Sequence, residues 1–221
     1  MPALTWDNVG EKRYETGTDR GVLYPYNSET NAYGTGVAWS GLTKVSEAPD
    51  GAEETALYAD NVKYGSMTSA ENFKGSIAAY MSPEEFDILD GTAEIAKGIR
   101  IAQQDRGTFG FSWRTLIGND TKGTAFGYKI HLMYGAKVSP SQRENATVND
   151  SPATTDLSWS FTTTPIQVPG FKPTAHIIID STKIDSATLK KIEDMIYGTT
   201  ATAKLPTPAE LVALVGTPTA G

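Results

Sequence analysis

"TFGFSWRTLI" (residues 108–117) alternates with a period of two. Phe109, Phe111, Trp113 and Ile117 share one parity with Thr115, while Thr108, Gly110, Ser112 and Arg114 take the other. That period marks a strand with one buried face, because successive side chains on a pleated backbone point to opposite sides. "FGYKIHLMY" (126–134) repeats it, with Phe126, Tyr128, Ile130, Leu132 and Tyr134 against Gly127, Lys129 and His131. "LSWSF" (157–161) sets Leu157, Trp159 and Phe161 against Ser158 and Ser160. Shorter candidate strands lie at 37–45, 54–58, 62–67, 73–81 and 175–180. A fully buried large apolar side chain contributes about 1.5–3 kcal/mol, so three strands this aromatic sustain a two-layer core. The prediction is an all-β sandwich or barrel with its aromatics turned inward.

Helices are few and punctuated. "SPEEFDILDG" (82–91) offers Ser82 as N-cap, Pro83 at the first helical position, Glu85 for a capping box and Gly91 as a stop, with Phe86 and Leu89 toward the sheet. "SATLKKIEDMIYG" (186–198) aligns Leu189, Ile192 and Ile196 on one stripe. "TPAELVALVG" (207–216) repeats the cap signature with Thr207, Pro208 and Glu210, after an expected linker, "TTATAKLP" (199–206). The expected organisation is a β domain over 1–180, with an N-terminal arm and long loops at 26–36, 46–54 and 139–155, followed by a C-terminal helical extension over 181–221.

The 221 residues include no cysteine, which excludes disulfides, thiolate nucleophiles and cysteine-ligated zinc. A formal charge of −7 disfavours a basic face that grips phosphates. No apolar run reaches membrane-spanning length or reads as a signal peptide, so a soluble chain made in the cytosol is expected. Asn119-Asp120-Thr121 and Asn145-Ala146-Thr147 match glycosylation acceptors and, without a secretory signal, read as chance matches.

Catalytic patterns fail on inspection. Gly34-Thr35-Gly36 begins like a dinucleotide loop, but Trp39 stands where the third glycine belongs. "GNDTKG" spaces Gly118 and Gly123 like a phosphate loop, yet Thr124 replaces the lysine. Ser112 in "GFSWR" lacks the second glycine of a nucleophile elbow. His131 and His176, in separate strands, read as packed or solvated side chains. Glu84, Glu85, Asp87, Asp90 and Glu94 lack the alternating ligand loop of a calcium site and read as a solvated helix face. No catalytic, cofactor-binding or metal-binding residue is predicted, and no enzyme. In "LYADNVKYG" (57–65), Asp60-Asn61 reads as a hairpin corner rather than a ligand pair, because Asx side chains tolerate positive φ.

Six segments, in order, carry a resemblance: "LTWDNVGEKRYETGTDRGVLYPY", "WSGLTKVSEAPDGAEETALYADNVKYG", "YMSPEEFDILDG", "FGFSWRTLIGND", "GYKIHLMYGAKVSPSQR" and "LSWSFTTTPI". The resemblance runs from about residue 4 to 180, and it is to the major tail (tail tube) proteins of long-tailed bacteriophages. The resemblance implies a tail-tube-type β-sandwich with a short flanking helix, self-assembling into stacked hexameric rings. Four strands per subunit would join a continuous inner barrel, and the N-terminal arm, loops and tail would bridge rings. It implies as partners other copies, the tape measure, terminator and distal tail proteins, and double-stranded DNA that passes the lumen without specific binding. It also implies a place in the virion after synthesis in the host cytoplasm. An acidic excess on the bore is expected, since lysines there would capture phosphates. The alternatives are another tail component on the same fold, such as a terminator or distal tail protein, and a monomeric carbohydrate-binding β-sandwich, which would need aromatics on the outward parity.

Overall fold

The computed structural model describes residues 3–145, 147, 156–199 and 201–216. The strands are β1 (Arg13–Asn27), β2 (Ala32–Tyr33), β3 (Val37–Trp39), β4 (Leu42–Glu47), β5 (Glu54–Ala59), β6 (Val62–Thr68), β7 (Lys74–Ala79), β8 (Ala93–Ala96), β9 (Ile99–Ile101), β10 (Phe109–Asn119), β11 (Gly123–Val138), β12 (Leu157–Thr163) and β13 (His176–Asp180). The helices are α1 (Glu84–Leu89), α2 (Ser186–Tyr197) and α3 (Pro208–Val215). The all-β class is as expected, and no described helix is long and apolar enough to cross a membrane.

One antiparallel sheet runs β1–β10–β11–β12–β7–β4, and β3 pairs back onto β1. β3 and β4 are two arms of one bent segment, with Gly41 at its corner in the left-handed region (φ +80°). The sheet therefore closes on itself as a barrel, which removes most of its edges. Trp39, Ile77, Phe109, Phe111, Trp159 and Phe161 fill the interior, and α1 adds Phe86 and Leu89. Trp159 and the other interior aromatics sit on the inward parity, as the alternation requires.

A second core corrects the expectation of a single buried face. Ile130, Leu132, Tyr134 and Ile179 pack outside the barrel against Leu189, Ile192, Ile196, Leu205 and Leu211. Phe111 lies opposite Met133 and Ser112 opposite Leu132, so the aromatic stripe of β10 and the apolar stripe of β11 serve opposite layers. At Gly135 (φ +59°) the parity flips, and Ala136 and Val138 turn into the barrel. A Cβ there would lie 2.3 Å from the Thr164 carbonyl oxygen, so only glycine fits this bulge.

The residues after Asp180 are thus not an appendage. α2 and α3 cover the sheet, with the Tyr24 hydroxyl donating to the Ile196 carbonyl (2.8 Å) and the Tyr134 hydroxyl to that of Pro206 (2.7 Å). The expected linker is tied down too: Leu205 is buried, and the Gly36 amide donates to the Ala203 carbonyl at 2.8 Å. β1 was hidden in the expected N-terminal arm. Gly17 and Arg20, both at positive φ, shift its register against β10 and erase the alternation. The β8–β9 hairpin was also missed. Ser82 does not cap α1; Pro83 holds the N-cap position with no side-chain bond, whereas Thr207 and Glu210 form the expected capping box. Asp60 (φ 50°) and Asn61 (φ 66°) make the tight corner between β5 and β6, as the Asx reading required. Most of the 139–155 loop and part of the Asn145-Ala146-Thr147 tripeptide lie outside the described residues.

Candidate functional site

Two features stand apart from the closed barrel. The first is a sheet margin. β12 pairs with β11 only at Ala136–Val138, and β13 takes its place at Lys129–Met133. Beyond the barrel the sheet is therefore four strands, β1–β10–β11–β13, in which, among the described residues, Arg13–Asp19 pair with β10 alone and β13 with β11 alone. Helices cover one face. On the other, Glu15 is ion-paired with Lys129, and Asp180 lies opposite Lys129 in the β13 register. The β5–β6 hairpin is a separate two-stranded sheet, and it exposes Leu57, Val62 and Met67 together with Tyr58 (74%) and Tyr64 (79%).

The second feature is a side-chain cluster where this margin meets the barrel. β11 and β13 bring together the two histidines that the sequence leaves 45 residues apart, with His131 Nδ1 3.1 Å from His176 Nε2. Trp113 on β10 lies opposite His131 and stacks on it (centroids 4.8 Å, planes 8° apart), while Phe73 stacks on His176 at 4.4 Å. The Thr115 hydroxyl is 3.0 Å from His131 Nε2. Glu47, at the end of β4, places Oε1 3.5 Å from His131 Nδ1 and Oε2 3.9 Å from His176 Nδ1. Sequence reasoning missed this convergence, because it depends on a pairing register that no local pattern encodes.

Both imidazoles are held near pKa 4, His131 by burial and then by the charge of Lys129, His176 by burial and then by His131. Burial, with Glu15 nearby, also pushes the Glu47 carboxyl upward, so burial opposes the charged form of all three groups. The unfolded rings protonate near 6.5 and the folded rings near 4. In that window the unfolded chain binds more protons at these two sites, so the contribution of the rings to stability falls as pH drops from about 6.5 to about 4 and then levels off. Glu47 opposes this in part, because its raised carboxyl is protonated sooner in the folded state. Each ring contributes a slope of up to about 1.4 kcal/mol per pH unit. Urea denaturation in chelator between pH 7 and 4 is expected to show this loss, and His176→Gln to reduce it. A flat profile would contradict the buried neutral pair.

The other candidates are spent on structure. The Ser112 hydroxyl is buried 3.5 Å from that of Tyr24. Asp87 pairs with Arg100; Asp90 accepts from Arg143 (2.7 Å) and from the Trp159 indole (3.1 Å), and Glu94 accepts from the Gly98 amide (2.8 Å). Glu84 and Glu85 occupy the first turn of α1. Gly118 and Gly123 flank the turn from β10 to β11, and Gly34 and Gly36 lead into β3 rather than a helix. No protein-family model matches this chain, and no curated protein does.

Proposed function

We propose that the chain is a non-catalytic structural protein that polymerises into the tail tube of a long-tailed bacteriophage, a conduit for double-stranded DNA. The supporting observation is the four-stranded margin with two edges unpaired among the described residues, on a domain that otherwise closes its large sheet. Free N–H and C=O groups along an exposed strand are a template for another chain. Pairing β1 of one copy with β13 of the next is a heterologous contact, which yields a ring when the rotation closes. With helices on one face, the opposite face would form the bore, where Glu15 and Asp180 stand beside Lys129 and offset its charge, with Arg13 and Lys183 in the same patch. Copies of itself, the tape measure, terminator and distal tail proteins are the partners on this reading, and the virion is its destination. The buried positions of Trp39, Trp113 and Trp159 disfavour a sugar-stacking role for them.

Negative-stain microscopy over a concentration series is expected to show tubes of uniform width. Single closed rings would favour a terminator-type component, and monodisperse single subunits at every concentration would count against assembly altogether.

A further inference from the structure

The geometry points to a first-row divalent metal site, Zn²⁺ in class, formed by His131 Nδ1, His176 Nε2 and a carboxylate oxygen of Glu47, with water as the fourth ligand. All three residues offer ligand atoms within 4.8 Å of one another. A tetrahedral centre with bonds of about 2.0–2.2 Å sets neighbouring ligand atoms about 3.3–3.6 Å apart. The Nδ1–Nε2 separation is 3.1 Å and the Nδ1–Oε1 separation 3.5 Å, so two of the three edges already approach that length. The Glu47 side chain is 36% exposed and free to rotate toward the third.

The surroundings prepare the donors. Trp113 and Phe73 pack flat against the two rings and fix their rotamers. When His131 Nε2 donates its hydrogen to the Thr115 hydroxyl, the Nδ1 lone pair is left facing the site, the role a second partner plays for most metal-bound histidines. On that tautomer His176 Nε2 of the free protein carries the hydrogen shared with His131 Nδ1. A bound metal would require that hydrogen to sit instead on His176 Nδ1, which faces Glu47 Oε2 at 3.9 Å, and both imidazoles would then bind as neutral ligands. A cleft of about 830 Å³, bounded by Glu47, Glu71, Thr174 and His176, gives ion and water a way in. Two imidazoles and one carboxylate suit zinc and its neighbours rather than Mg²⁺, which prefers an oxygen shell.

The site does not depend on polymerisation, and its test is separate. The full chain, stripped with EDTA, is titrated with ZnCl₂ by calorimetry and by thermal melting, with MgCl₂ as control. One Zn²⁺ per chain and an upward, concentration-dependent melting shift absent with Mg²⁺ are expected. Glu47→Gln should weaken binding about tenfold or more and His176→Gln about a hundredfold or more, since even outer-shell partners are worth about 10–100-fold. Co²⁺ bound to the unmodified chain should give the intense visible bands of a tetrahedral centre, a readout independent of how the variants fold. No Zn²⁺-specific shift, octahedral Co²⁺ spectra, or binding unchanged in both variants would overturn the assignment.

Discussion

Trp39→Ala is expected to cost about 3–5 kcal/mol, the range for emptying a buried Trp site. Its ring packs against Phe86 (4.6 Å between centroids), Trp159 (5.4 Å) and Phe111 (5.5 Å), and so joins α1, β12 and β10. Its indole also donates to the Met81 carbonyl at 2.8 Å, and that bond goes with the ring. Trp39 sits opposite Gly21 in the β3–β1 pairing that closes the barrel, so the cavity opens at the seam. Against a typical total of about 5–15 kcal/mol, the loss leaves a marginal protein. A urea midpoint shifted to lower concentration with an unchanged slope would report it. A loss below about 1 kcal/mol would mean that the ring closes without this side chain.

The second large effect concerns assembly. Replacing residues 55–67 by a short Gly-Ser link is expected to abolish tubes while leaving the thermal transition nearly unchanged. Two strands alone are marginal in water, yet this hairpin exposes two tyrosines and three aliphatic side chains that its own domain does not cover. A second copy is the occupant that the free β1 and β13 edges argue for, and removing the hairpin removes apolar area from that contact. Sedimentation and microscopy read the first outcome, and calorimetry the second. Tubes of normal length from the shortened chain would show that the hairpin takes no part.

Much of this architecture was legible because local periodicity reports burial. The stripe through Phe109, Phe111 and Trp113 and the Asx corner at Asp60-Asn61 both predicted what forms. Where the reading failed, a second constraint overrode the period. β1 carries bulges at Gly17 and near Arg20, and β11 is buried on both sides, so alternation said which residues share a face but not which layer each face meets. The helices after Asp180 were recognisable from their caps and stripes, but a stripe does not name its partner. The His131–His176–Glu47 convergence was invisible for the same reason: three strands distant in sequence meet there only once the barrel has closed.

The two-sided burial of β11 also sets an order of events during synthesis. Ile130, Leu132 and Tyr134 leave the ribosome well before Leu189, Ile196 and Leu211, which cover them. Until the last helix emerges, the nascent polypeptide presents a greasy stripe beside two unpaired strand margins, the combination most prone to sticking to a sister chain on the same messenger. α2 and α3 therefore act in time as well as in space: the greasy stripe stays open until translation has delivered them.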